Sequence, residues 1–313
     1  MLAGLSWMVM AWLVTLGVVL DCLLGEVRRW HPLSGFGNVA TWIEKRMNRR
    51  QASRMHGVLA WMTIVVPLVT LSWLFTWWLA GQHPLLALSA HAVMLYFCLG
   101  LRSLREHILP IAHALRDDDL PLARTLTARI VSRDTAALSE ADLAKAGVES
   151  LLENGNDAVF GTLFWFVIAG GPGAVLFRLA NTLDAMWGYR TARFLQFGWA
   201  AARIDDSLNL IPARLTALSY ALLGNSRLAY RCWRQQAAQW SSPNAGPVMS
   251  AGAGALNISL GGDAVYDGEI EHRPILGSGP RAAGADIPRA WKLVSRTTAL
   301  WLFVIALIGV THA

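Results

Sequence analysis

The sequence predicts an all-α polytopic membrane protein, and three observations carry that prediction. Of the 313 residues, 54% are hydrophobic and 15% are charged, well under the roughly 25% charged share of soluble domains. Apolar runs approaching the roughly 20 residues that a spanning helix needs recur along the chain. The cations collect between those runs, the pattern that marks the cytoplasmic side of a membrane protein.

Four runs are read as spans: residues 2–24, 58–80, 85–101 and 291–310. The first begins without a basic stretch before it and reaches Asp21 rather than a small-residue cleavage site, so it reads as a retained helix. Pro67 is tolerable inside the second span, because neighbouring helices can satisfy the freed backbone. His91 is the one strongly polar side chain of the third. Residues 159–177 are apolar too, but Gly170-Gly171-Pro172-Gly173 interrupts them. That run favours a turn, so a re-entrant or interfacial hairpin is expected. Residues 208–223 contain Asn209, Pro212 and Arg214 and read as a buried or interfacial helix.

Charge decides the orientation. With four spans and the N-terminus outside, the outer segments contain no Lys or Arg, and all 27 cations lie inside or at the membrane edge. Making both doubtful stretches spans would export Arg178, Arg190, Arg193 and Arg203. The expectation is a single membrane-embedded domain with cytoplasmic regions at 25–57, 102–158 and 178–290. Arg28, Arg29 and Trp30 read as an interface anchor after the first span.

Composition excludes several function classes. Cys22, Cys98 and Cys232 are scattered, with no CxxC, so neither a disulfide framework nor a zinc site is predicted. The net charge is +6, yet no basic–aromatic module of the nucleic-acid-binding kind is present, and nucleic acid is not an expected partner. The lipid bilayer is.

Five stretches can carry chemistry. Glu149, Glu153 and Asp157 recur every four residues, on one helical face. The bland reading is a solvated acidic face; the functional one is a magnesium or nucleotide–magnesium site, since hard cations take carboxylate oxygen. Arg178, Asn181, Asp184 and Arg190 mix oxygen ligands with fixed cations, which suits a phosphorylated substrate; snorkelling arginines on an interfacial helix are the alternative. Arg203, Asp205, Asp206, Asn209 and Arg214 form a third group, in which acidic residues also suit a helix start. The glycine-rich stretch 241–262, with Asn244 and Gly246, reads as a loop able to approach an anion, although no Walker or Rossmann pattern is present. His272 beyond it is a possible catalytic histidine or an exposed loop residue. Asp21 and Glu26 bracket the exit of the first span.

In chain order these stretches read D-x3-G-E-x3-W-H-P, E-S-x2-E-N-x2-D, N-T-L-D-A-M-x-G-Y-R, F-G-W-A-A-A-R-x-D-D-x2-N-x-I-P-A-R-L-T-A-L and S-P-N-A-G. The pattern resembles the adenosylcobinamide-phosphate synthase family of cobalamin biosynthesis, the CobD/CbiB family, from about residue 20 to about residue 290. The resemblance implies a bacterial inner-membrane ligase facing the cytoplasm. It would join aminopropanol, free or O-phosphorylated, to a carboxylate of adenosylcobyric acid, with ATP and Mg2+ as the expected drivers. Glu149, Glu153, Asp157 and Asp184 then fall to metal and nucleotide, Glu153 also to catalysis, and Asp205 or Asp206 to accepting the amine proton. Arg178, Asn181, Arg190, Arg203, Asn209, Arg214, Asn244 and Gly246 fall to phosphates or the corrinoid. Ala158 stands where a glycine often follows the aspartate, and Gly155-Asn156 adds flexibility, so the end of the acidic helix is expected to be distorted.

Two rivals stand beside this reading. AmpE-type membrane sensors of β-lactamase regulation are similar in the N-terminal half and the acidic helix, but the long D-D-x2-N-x-I-P-A-R-L-T-A-L segment favours the synthase. A corrinoid or organic-anion transporter would place polar residues near the bilayer midplane, whereas these clusters lie outside the spans. Other corrinoid-pathway enzymes or a second copy of the chain are the expected macromolecular partners.

Overall fold

The computed structural model describes residues 4–27, 31–49, 53–131, 133–266 and 269–312. Arg28, Arg29 and Trp30 lie outside the described residues. The chain is overwhelmingly helical. In order it forms α1 (Trp7–Leu24), α2 (Pro32–Met47), α3 (Arg54–Gln82), α4 (Pro84–Cys98), α5 (Leu101–Arg116), α6 (Leu120–Thr127) and α7 (Glu140–Gly155). A π-helical turn, Asn156–Phe160, leads into α8 (Gly161–Trp187), followed by α9 (Trp199–Leu223), α10 (Ser226–Gln236) and α11 (Ala245–Leu256). Four three-residue strands, β1 (Ser259–Gly261), β2 (Ala264–Tyr266), β3 (Glu269–Glu271) and β4 (Ile275–Gly277), precede α12 (Asp286–Thr311).

Among the described residues, five helical stretches are long and apolar enough to cross a membrane, one more than the four spans expected. The extra one is 140–187, which contains the predicted hairpin. It is not a straight rod. Ala169 and Gly170 leave helical geometry, Gly170 at φ 66°, a left-handed conformation that glycine adopts without steric penalty. Gly161 lies against the Phe177 ring and Gly173 against the Trp165 carbonyl. Sixteen residues of straight helix would span about 24 Å, so contact between 161 and 177 requires the two arms to fold back on each other about residue 169.

Contacts divide the chain into two compact units. The first comprises 1–100, 161–209 and 302–313; the second comprises 101–160 and 210–301. In the first, α3 and α4 are joined through His83 alone, which caps α4 by accepting from the Leu85 amide at 3.2 Å, with Pro84 opening the helix. Its core packs Phe36, Ile64, Leu183, Trp187 and Phe197 between α2, α3, α8 and the start of α9. The hairpin tip is held by α4: the Gly171 amide donates to His91 Nδ1 at 2.9 Å. The one strongly polar side chain of that span therefore caps the second arm of the hairpin.

In the second unit β1 pairs antiparallel with β4, Leu260 opposite Leu276, and β2 with β3. Phe160 packs against Tyr220 and Trp301. The stretch expected as a glycine-rich loop is mostly the helix α11, buried at every position from Ala245 to Leu256. Its small residues serve packing: Gly252 meets Leu152, and Gly254 meets the backbone of Ala229 on α10.

Candidate functional site

The first unit gathers the densest set of predicted residues. The second arm of α8 presents Asn181 and Asp184 at i,i+3, and α9 presents Asp205, Asp206 and Asn209. Asp205 is buried with both carboxylate oxygens engaged: Asn181 Nδ2 donates to one at 3.5 Å and Asn209 Nδ2 to the other at 3.1 Å. Asn209 is itself 1% exposed. Two side-chain amides thus fix the orientation of one carboxylate, and its neighbour Asp206 stays half-buried and pairs with Arg203 at 3.8 Å. Burial pushes the Asp206 carboxyl above the usual aspartate range, and the charges of Arg203 and Arg190 oppose that rise.

Local chemistry explains the motif around these residues. Pro212 has no N–H to donate to the Leu208 carbonyl one turn back; the Trp165 indole donates to that carbonyl instead, at 3.0 Å. A proline therefore sits in α9 without leaving a buried acceptor unpaired. Gly188, after Asp184, has no room for a side chain: a Cβ there would overlap Asp184 Oδ1. The 188–198 loop is tied down by Glu44 of α2, which accepts from Arg193 Nε at 3.1 Å, Arg193 Nη2 at 2.6 Å and Asn48 Nδ2 at 2.8 Å. That clamp, which holds the loop carrying Arg190, joins positions 149 apart in sequence and has no local sequence signal.

Arg178 lies in the wall of an apolar cavity of about 550 Å³ formed by α2, α3, α4 and α8. His31 caps α2, accepting from the Leu33 amide at 3.2 Å, and its ring meets Phe97 edge-on. Burial holds the His31 imidazole below its ordinary value; Glu26 opposes this and Arg178 adds to it. The W-H-P motif is the signal that could have marked His31.

The second unit uses its predicted residues differently. Glu149, expected at a metal, is buried and accepts from Arg133 Nη2 at 3.0 Å, the Gly261 amide at 2.7 Å and Arg273 Nη2 at 3.4 Å. It joins α7 to β1 and to the two arginines. Glu153 and Asp157 are half-buried. The helix distorts where its motif turns polar: Asn156 lies in the π turn, donating to Asp157 Oδ1 at 2.9 Å while Thr216 donates to its own Oδ1 at 2.9 Å. Arg214 donates to Asn244 Oδ1 at 2.6 Å, and burial lowers the guanidinium's pKa. Asn244 opens α11, and Gly246 packs against the Ala237 carbonyl, so neither belongs to an open loop. His272 is exposed and pairs with Asp263. Among the described residues, no three His, Cys, Asp or Glu side chains assemble as a group able to hold a metal ion.

The family model described as CobD/CbiB protein matches residues 14–294. The chain belongs to the CobD/CbiB family. CobD/CbiB relatives named cobalamin biosynthesis protein CobD include one from Stutzerimonas stutzeri, 54% identical over 95% of this chain and 97% of its own length. Another, from Chromobacterium violaceum, is 50% identical over the same shares, and one from Mycobacterium tuberculosis is 38% identical over 91% of each. No solved structure matches the chain. Membership in the CobD/CbiB family places this membrane protein in cobalamin biosynthesis.

Proposed function

We propose that the chain is a carbon–nitrogen ligase that attaches aminopropanol, or its O-phosphate, to a carboxylate of adenosylcobyric acid, driven by ATP, at the cytoplasmic face of the inner membrane. The observation that carries this reading is the Asp205–Asp206 pair. An amine arrives at neutral pH as an ammonium and must lose a proton before it can attack. Asp206, with a pKa raised by burial, is suited to accept it, and Asp205, locked between Asn181 and Asn209, is suited to orient the amine. The carboxylate substrate must first be activated, most simply as an acyl phosphate. The C–N bond then forms as the C–O bond to phosphate breaks; Asp206 holds the proton taken from the ammonium, and the second proton lost from nitrogen leaves on the departing phosphate. Arg190 and Arg203, whose charges both act on Asp206, supply positive charge for the anionic reactants.

Magnesium fits as an ion carried on nucleotide phosphates, which needs only one or two protein carboxylates; the candidates are Asp184 in the first unit or, separately, Glu153 and Asp157 in the second, and Glu149 is committed elsewhere. Bound there, it would neutralise phosphate charge.

The test incubates detergent-purified protein with adenosylcobyric acid, ATP, magnesium and each amine, with mass spectrometry for the amide. The expected result is an ATP-dependent product, a rate lost by about 100-fold or more in Asp206→Asn, and a wild-type rate that falls as pH drops through a value above the ordinary aspartate pKa. Protonated Asp206 cannot take the proton, so the loss lies on the acid side. No product with either amine from folded protein, or product without ATP, would overturn the reading.

A further inference from the structure

The cavity beside Arg178 takes no part in the proposed chemistry, and its composition is unlike the Asp205 cluster. Its wall is made by apolar side chains, among them Phe36, Ile64, Pro67, Phe97 and Val175, and Arg178 is the one charged residue in its described lining. A volume of about 550 Å³ is in the range of ligand sites. Protein interiors are close-packed, with few voids larger than a water molecule, and an apolar void offers water no partners. Such a space suits an apolar ligand better than water.

The surroundings say from which side. Val39, Leu68 and Val93 line the cavity and are exposed. They sit on helices whose exposed faces are apolar: Leu59, Met62, Val66 and Leu71 on α3 are all exposed as well. In a membrane protein that surface meets lipid. The cavity also has depth. Phe97 and Cys98 lie at the C-terminal end of α4, while Val93 lies about 7 Å further along it at 1.5 Å per residue. Arg178 belongs to the helix-end level: its charge acts on His31, the cap of α2, whose ring packs on Phe97, and Tyr96 next to it donates to the carbonyl of Gly25, which closes α1, at 2.8 Å. Helix ends are where lipid phosphates lie.

We propose that this cavity is a phospholipid site that takes one acyl chain between α2, α3, α4 and the second arm of α8, with the anionic headgroup phosphate on Arg178. A guanidinium recognises phosphate through a rigid fork of donors, and an anionic lipid carries net charge that a zwitterionic lipid lacks, so selectivity for the anionic class follows.

The test is native mass spectrometry of the full chain released from nanodiscs containing equal phosphatidylglycerol and phosphatidylcholine of matched chains. Wild type is expected to retain one phosphatidylglycerol per chain, about tenfold over phosphatidylcholine. Arg178→Gln is expected to lose that preference while still retaining a lipid, and Val93→Trp, which fills the mouth, to lose retention of both. Leu68→Trp provides a second block from α3, and helicity by circular dichroism identifies folded variants. Equal retention of the two lipids by wild type, an unchanged preference in Arg178→Gln, or undiminished retention in both folded tryptophan variants would overturn the proposal. Because the readout is lipid retention, it stands or falls separately from ligase activity.

Discussion

Glu149 shows how one residue's role depends on what surrounds it. In sequence it is the first of three carboxylates spaced for a helical face, and a metal is a reasonable partner. In the fold it is buried among Arg133, Arg273 and the Gly261 amide. Those donors come from residues 16, 124 and 112 positions away, and no local pattern announces them. Removing the charge from a buried, compensated site leaves the opposite charges without their partner, which costs on the order of 3–5 kcal/mol. Glu149→Gln should therefore lower stability by about 3 kcal/mol, read as a shift of the unfolding midpoint in detergent, and the loss should be similar with and without added magnesium. A variant as stable as wild type would show that the buried pairings contribute little. By contrast, Asp205 and Asn209 could be read together, because an i,i+4 pair on one helix meets by geometry alone; the third member, Asn181, 24 residues earlier, could be nominated but not placed.

At the scale of elements, the hairpin within 161–187 was legible and its support was not. Glycines and a proline in the middle of an apolar run announce a break, and the chain turns at Ala169–Gly170. What stabilises the turn is a side chain 80 residues away. The first amides of a helix have no intrahelical acceptors, and in an apolar setting an unpaired one is expensive. His91 Nδ1 supplies the acceptor for Gly171, which requires the imidazole tautomer with its proton on Nε2. His91→Leu introduces an apolar side chain of similar size and removes the acceptor, so a loss of about 1–3 kcal/mol is expected. His91→Gln, which carries an acceptor oxygen, should recover part of it. Thermal unfolding of the three proteins in one detergent checks this, and a leucine variant with wild-type stability would assign the cap no energetic role. The glycine-rich stretch 241–262 is the opposite case. Glycine marks both flexible loops and tightly packed helices, and composition alone does not separate them. Here Gly252 and Gly254 lie in a buried helix at places where a larger side chain would meet Leu152 or the Ala229 backbone.

For the whole molecule, the strongest information in the sequence is where charge is missing. Hydrocarbon admits helices whose backbone is internally satisfied, so long apolar runs locate spans with little dependence on tertiary contacts. The cores of α1, α3, α4 and α12 accordingly fall where hydropathy puts them, with ends displaced by a few residues where caps such as Ser6 and His83 set the boundary. The cations predict an orientation. His83 is the entire link between α3 and α4, and residues 81–84 contain no Lys or Arg, whereas Arg190, Arg193 and Arg203 crowd the other end of the hairpin arm and the start of α9. The positive-inside rule predicts the first group outside and the second in the cytoplasm. Single cysteines introduced at Gln82 and at Tyr189, in a background with Cys22, Cys98 and Cys232 replaced by serine or alanine, test this directly. A membrane-impermeant maleimide applied to intact cells should label position 82 at once and position 189 only after the membrane is opened. Labelling of 189 from outside would reverse the orientation and place the Asp205 cluster on the side without ATP, which would rule out ATP-driven ligation at that cluster while leaving the helical fold unaffected.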